Sequence, residues 1–175
     1  MDMTLQETLE MSRELWKLDP QLISLEKTLL KLGGKKVVPI PELKAEMLLN
    51  NGELINYRKS TLARHYCLAP SRCHENSCFL WLDRRDRGFK IVTGWALSDG
   101  GWRQHSWGLQ RGVLRETTCH RDKYFGVILD YKESLDFCDN NLSVNAYPNS
   151  PYFKYRAHLD GLIEKENLSK GKNIQ

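Results

Sequence analysis

No stretch of this 175-residue chain approaches the roughly 18 consecutive apolar residues that a membrane-spanning helix needs, so no membrane role is expected. The opening Met1-Asp2-Met3-Thr4-Leu5-Gln6-Glu7 has no basic region followed by an apolar block. It therefore does not read as a secretory signal, and cytoplasmic residence is expected. Cysteines at 67, 73, 78, 119 and 138 are odd in number and keep no framework spacing. That excludes a small disulfide-stapled scaffold and predicts reduced thiols, at least one of them available for chemistry. Charge does not lean strongly either. A net +4 permits contact with nucleic acid or an acidic partner without arguing for it, and nucleic acid is not an expected partner. Internal repeats are missing as well. What remains, with 41% hydrophobic and 27% charged residues, is one globular chain long enough to bury a core.

The pattern predicts an α+β fold: N-terminal helices, then a cysteine-bearing helix packed on an antiparallel sheet of about four strands. Residues 4–18 and 20–32 read as two helices, the first with a Thr4/Glu7 capping box and the second ended by Gly33-Gly34. This helical hairpin would pack on a core, and it is also where a protein partner would dock. Lys35 to Pro41 reads as an extended connector, and Glu42 to Leu49 as a short helix. The basic, aromatic stretch Tyr57, Arg58, Lys59, Arg64 and His65 reads as a solvated loop. A helix over 75–82 follows, ended by the solvated run Asp83 to Arg87 and Gly88. Period-two segments at 89–97, 102–109, 113–117 and 124–129 then predict strands, with turns at Ser98-Asp99-Gly100-Gly101 and Gln110-Arg111-Gly112. Residues 132–138 read as a short helix, 140–151 as a loop, 152–162 as a strand or a last helix. The organisation predicted is a helical part at 1–52, an α+β core at 53–163 and a polar tail at 164–175.

Chemistry concentrates in three places. Cys73 stands at a helix start among Arg72, His74 and Glu75, where the macrodipole and neighbouring cations favour a thiolate and backbone N–H groups can bind an oxyanion. Cys78, beside Phe79, is the core-facing thiol of the pair. His105 lies in a strand between Trp102 and Trp107 and shares a face with Trp107. Glu116 follows on the next predicted strand, within cross-strand reach of His105; Asp99 and Asp122 are weaker choices. A thiol, an imidazole to take its proton and an acid to orient the imidazole make a cysteine nucleophile. Cys73, His105 and Glu116 are thus the expected catalytic set, and no cofactor or metal is required. Asn76, His74 and the aromatic side chains Trp95 and Trp107 are the expected substrate-binding residues, and the Cys73 backbone N–H is one oxyanion donor.

Two other readings use the same residues. In one, the fold is a binding module whose Trp95, Trp102 and Trp107 form a ligand surface. In the other, Cys73-His74 and Cys119-His120, with Cys67 and Cys78, hold a zinc ion. No Cys-x-x-Cys occurs, and the separations fit no ribbon or finger spacing.

At Cys73-His74-Glu75-Asn76, His105-Ser106-Trp107 and Glu116-Thr117-Thr118 the chain resembles the papain-like and transglutaminase-like cysteine hydrolases, in particular the protein amino-terminal glutamine amidohydrolases. It is also similar there to small bacterial proteins with a Cys-His-x-Asn, His-Ser, acid-x-Thr pattern. The likeness covers about residues 66–130, with Glu116 where those enzymes carry Asp. It implies a papain-like fold, a Cys-His-acid triad and hydrolysis or deamidation of an amide: a glutamine side chain, a peptide or a small amide.

Overall fold

The computed structural model describes residues 4–40, 44–55, 68–142 and 151–171. The basic, aromatic stretch at 57–65, Cys67 and most of the loop at 140–151 lie outside the described residues. Six helices and one mixed six-stranded sheet occur among them, giving an α+β protein. Their order is α1 (Leu5–Leu18), α2 (Pro20–Leu32), β1 (Lys36–Val37), α3 (Ala45–Asn51), β2 (Glu53–Ile55) and α4 (Cys73–Arg84). After these come β3 (Phe89–Ser98), β4 (Gly101–Gln110), β5 (Val113–Arg115), β6 (Lys123–Ile128), α5 (Tyr131–Asn141) and α6 (Pro151–Gly171). No helix among the described residues is long and apolar enough to cross a membrane.

The strand order is β1-β4-β3-β6-β2, with β5 pairing β4 off this path. The four predicted strands are present, but the sheet is neither four-stranded nor wholly antiparallel. The segment read as a connector supplies β1, which runs parallel to β4 in the register Lys36↔Gly101 and Val37↔Trp102. β2 joins antiparallel to β6 through Leu54↔Phe125. Both added strands are too short to carry a periodic signal. At the β3–β4 turn Asp99 and Gly100 have φ of 51° and 70°, and at the β4–β5 turn Arg111 and Gly112 have 52° and 73°. Two successive positive-φ residues match the twist of tight hairpins.

Two compact units divide the chain. The first holds residues through 61 together with 93–106 and 120–127. Its α1 begins with the expected capping box, Thr4 N donating to Glu7 Oε2 (2.7 Å) and Glu7 N to Thr4 Oγ1 (3.3 Å). Asp19 caps α2, with Pro20 at its first position. Trp16 packs edge-on to Trp95 at 5.6 Å and donates to the Ile40 carbonyl at 2.8 Å. Trp102 Nε1 likewise donates to the Gly33 carbonyl at 2.7 Å. Indoles buried this way gain apolar burial while keeping their one donor satisfied.

The second unit holds residues 62–92, 107–119 and 128–175. Here α4 packs on α5 and α6: His74 meets Phe137 at 5.7 Å and Phe79 meets Tyr155 at 5.0 Å. Gly108 in β4 lies under Phe89, whose ring would stand 2.1 Å from any added Cβ, so only glycine fits there. The helix α6 runs to Gly171, through residues that the polar composition marks as a tail. Arg156 anchors it, with Nη2 2.6 Å from Asp139 Oδ1 and 2.9 Å from Asp160 Oδ1.

Candidate active site

In the second unit Cys73 is the first residue of α4 and is partly exposed, whereas Cys78 and Cys138 are fully buried. The chain enters this helix through Ser71, whose φ of 59° is a sharp left-handed turn for a residue with a side chain. Arg72 offers no side-chain cap, and the first-turn N–H groups of a helix have no carbonyl four residues back. The amides beginning at Cys73 are therefore the anion-facing end of α4. Burial pushes the Cys78 thiol well above its ordinary range, and the adjacent Cys138 reinforces the shift. Of these three, Cys73 is the thiol with access to solvent.

Glu75 is buried with Arg72 paired to it. Desolvation is the dominant influence and raises its pKa above the ordinary carboxylate value, while Arg72 pulls in the opposite direction. The folded state then holds this proton more tightly than the unfolded chain. Its stabilising effect is full below the unfolded value and fades as pH rises through the higher folded one. Glu75→Gln is accordingly expected to melt at or above the wild-type temperature at pH 7, with the gap closing near pH 4. Thermal unfolding at the two pH values checks this.

Glu116 is fully buried just beyond the end of β5, in a bend and not in the predicted strand. Its Oε1 accepts from Thr117 N (2.8 Å), Thr118 N (3.0 Å) and Thr118 Oγ1 (3.2 Å). Three donors on one oxygen fix the orientation of the carboxylate. Asn76 ties this bend to α4. Its Nδ2 donates to the carbonyls of Ala69 (2.8 Å) and Thr117 (3.4 Å), and Leu68 N donates to Thr117 as well (3.3 Å).

Asn76, expected among the substrate-binding residues, is wholly buried and braces the Cys73 helix to the bend after Glu116. The structure thus brings Cys73, Asn76 and Glu116 into one unit. The brace was missed because helical spacing shows that Asn76 lies a turn from Cys73 but not which carbonyls it meets.

His105 belongs to the first unit. It is 2% exposed, with its ring 6.2 Å from that of Tyr124, and Ser106 beside it donates to Thr93 Oγ1 at 3.0 Å. Trp95, Trp102 and Trp107 are all 0% exposed, which makes them core residues. An open surface built of these three indoles, as a binding module would use, is ruled out by that burial. His74, expected at the substrate, packs instead against α5 through Phe137. Among the described residues no three His, Cys, Asp or Glu side chains stand together as a metal-ligand group.

Comparison with protein-family models, with curated proteins and with solved structures finds no match.

Proposed function

We propose that this protein is a papain-like cysteine hydrolase or deamidase acting on an amide carbon, with Cys73 as nucleophile, His105 as proton shuttle and Glu116 as the acid that orients His105. One observation carries the reading. A fully buried carboxylate, held by three donors on Oε1, is braced through Asn76 to the helix that Cys73 opens. A glutamate needed only for solubility would be exposed. Holding a carboxylate in the interior is costly unless donors satisfy it, as three do here. His105 and Trp107 are alternate residues of β4 and so share a face, and Glu116 directly follows Arg115, whose register partner in β4 is Gly108, the neighbour of Trp107.

In the proposed reaction the Cys73 proton passes to His105, and Sγ attacks the carbonyl carbon. The developing oxyanion faces the first-turn amides of α4. The C–N bond breaks as the imidazolium gives its proton to the leaving amine or ammonia. His105 then deprotonates a water, which attacks the thioacyl carbon and restores the thiol. Tyr124, whose ring lies 6.2 Å from that of His105, is an apolar neighbour of the imidazole, and charges interact more strongly beside apolar groups than in water.

Treatment with p-nitrophenyl acetate tests the nucleophile. One acetyl group is expected on Cys73 by peptide mapping, with a burst of about one equivalent of nitrophenol that Cys73→Ala abolishes. Acetyl spread over Cys119 and lysines, with the same time course in Cys73→Ala, would reject the assignment.

A further inference from the structure

A cleft of about 560 Å³ lies within the second unit, lined at the C-terminal end of α4, the helix that Cys73 opens at its other end, and at the N-terminal end of α5. Trp81 forms its floor and is 3% exposed, while Tyr131 and Ile128 on the rim are 48% and 44% exposed. The Trp81 and Tyr131 rings stand 5.7 Å apart, tilted at 51°. Its volume lies in the range of small-molecule sites, where apolar walls carry a few fixed polar groups.

Two cations sit on this cleft. Arg85 is held in place: its Nη1 is 2.9 Å from the Leu82 carbonyl and 3.1 Å from His158 Nε2, and its Cζ lies 5.7 Å from the Trp81 ring centre. Its Nε is 3.8 Å from the exposed carboxylate of Asp86, which a ligand carboxylate would have to displace or share. Lys90 is exposed and adaptable. The nearby carboxylate of Asp130 is occupied in capping α5, accepting from Glu133 N at 2.8 Å.

Ser134 adds an independent sign. Its hydroxyl is buried and has no hydrogen-bond partner, yet the residue lines the cleft. Helical hydroxyls ordinarily bond back to the carbonyl four residues earlier. Ser24 Oγ does so to the Pro20 carbonyl at 2.8 Å and Thr28 Oγ1 to the Ser24 carbonyl at 2.9 Å; the buried Ser77 hydroxyl of α4 also lacks a partner, but Ser134 is the one that lines this cleft. At Ser134 only the backbone N–H takes the Asp130 carbonyl (2.9 Å). A buried hydroxyl left this way is unfavourable, and a ligand oxygen would offset that.

We infer that this cleft binds a small aromatic carboxylate, its ring against Trp81 and Tyr131, its carboxylate between Arg85 and Lys90, and Ser134 donating to the same oxygen group. Indole-3-acetate is a suitable probe and indole-3-ethanol its uncharged counterpart. The chain has five tryptophans, so ¹⁵N-labelled protein shows five indole N–H signals, with Trp81 identified through Trp81→Phe. Titration with indole-3-acetate should shift the Trp81 signal saturably and leave Trp95, Trp102 and Trp107 in place. Affinity should fall about tenfold with indole-3-ethanol, and about tenfold in Lys90→Glu, whose exposed site leaves folding intact. Ser134→Ala should weaken binding without lowering the melting temperature. Equal affinity for acid and alcohol, wild-type affinity in Lys90→Glu, or shifts spread over all five indoles would overturn the inference. None of these outcomes depends on Cys73.

Discussion

His105→Ala is expected to slow acetylation of Cys73 at pH 7 by about 10²- to 10⁴-fold, the usual worth of a positioned general base. His105 is also a core residue beside Tyr124, so part of any loss could come from the space that alanine leaves. His105→Gln separates the two causes. Glutamine fills most of the volume and offers hydrogen bonds, but it cannot take a proton from a thiol near neutrality. Both variants should lose acetylation to a similar degree, with His105→Gln melting close to wild type. Acetylation that follows the melting temperatures instead would make His105 a packing residue. Mass-spectrometric acetylation rates and thermal unfolding, run side by side on the three proteins, decide between these outcomes.

The second large effect concerns Glu116. Alanine there removes the acceptor shared by Thr117 N, Thr118 N and Thr118 Oγ1 and leaves buried donors unsatisfied. Hydrogen bonds to a charged group contribute more than neutral ones, and a stranded buried donor costs its full desolvation. Glu116→Ala should therefore lose about 3 kcal/mol of folding stability. Glu116→Gln keeps a carbonyl at the Oε1 position, so it should lose only about 1 kcal/mol. Its neutral amide cannot stabilise an imidazolium, so acetylation of Cys73 should still fall about 10²-fold or more. Denaturant unfolding and acetylation kinetics read the two effects separately. If Glu116→Gln acetylates at the wild-type rate, Glu116 serves the bend alone.

Most of the sheet was legible because its turns are spelled out. Asp99-Gly100 and Arg111-Gly112 force the hairpins, and the period-two segments between them are the strands. The helical hairpin was equally plain, since Thr4, Glu7, Asp19 and Pro20 are strong start signals. The two added strands were hidden for a physical reason. Lys36 and Val37 pair with β4 only because the tertiary fold brings them there, and the prolines at 39 and 41 point locally to a connector.

Alternation also misled about the tryptophans. A strand with one wet face alternates, but Val92 to Leu97 of β3 and His105 to Gly108 of β4 are buried on both faces. The degree of burial was not legible, so Trp95 and Trp107, expected as substrate-binding residues, are found fully buried. The residue types of the candidate site were visible in the motif spacing. The Asn76 brace and the three-donor clamp on Glu116 were not, because both are side-chain-to-backbone bonds between segments far apart in sequence.

The most direct test of a Cys73 nucleophile is the pH dependence of iodoacetamide alkylation at each cysteine, followed by mass spectrometry on wild type and His105→Ala. An ordinary thiol is about 0.3% ionised at pH 6. Complete ionisation would raise the thiolate some 300-fold, and the weaker nucleophilicity of a low-pKa thiolate takes back roughly the square root of that gain. Cys73 should therefore react about tenfold faster than the exposed Cys119 at pH 6, Cys78 and Cys138 should stay silent, and His105→Ala should erase the advantage. If Cys73 reacts no faster than Cys119 across the range, or its profile is unchanged in His105→Ala, a Cys73–His105 nucleophile is contradicted.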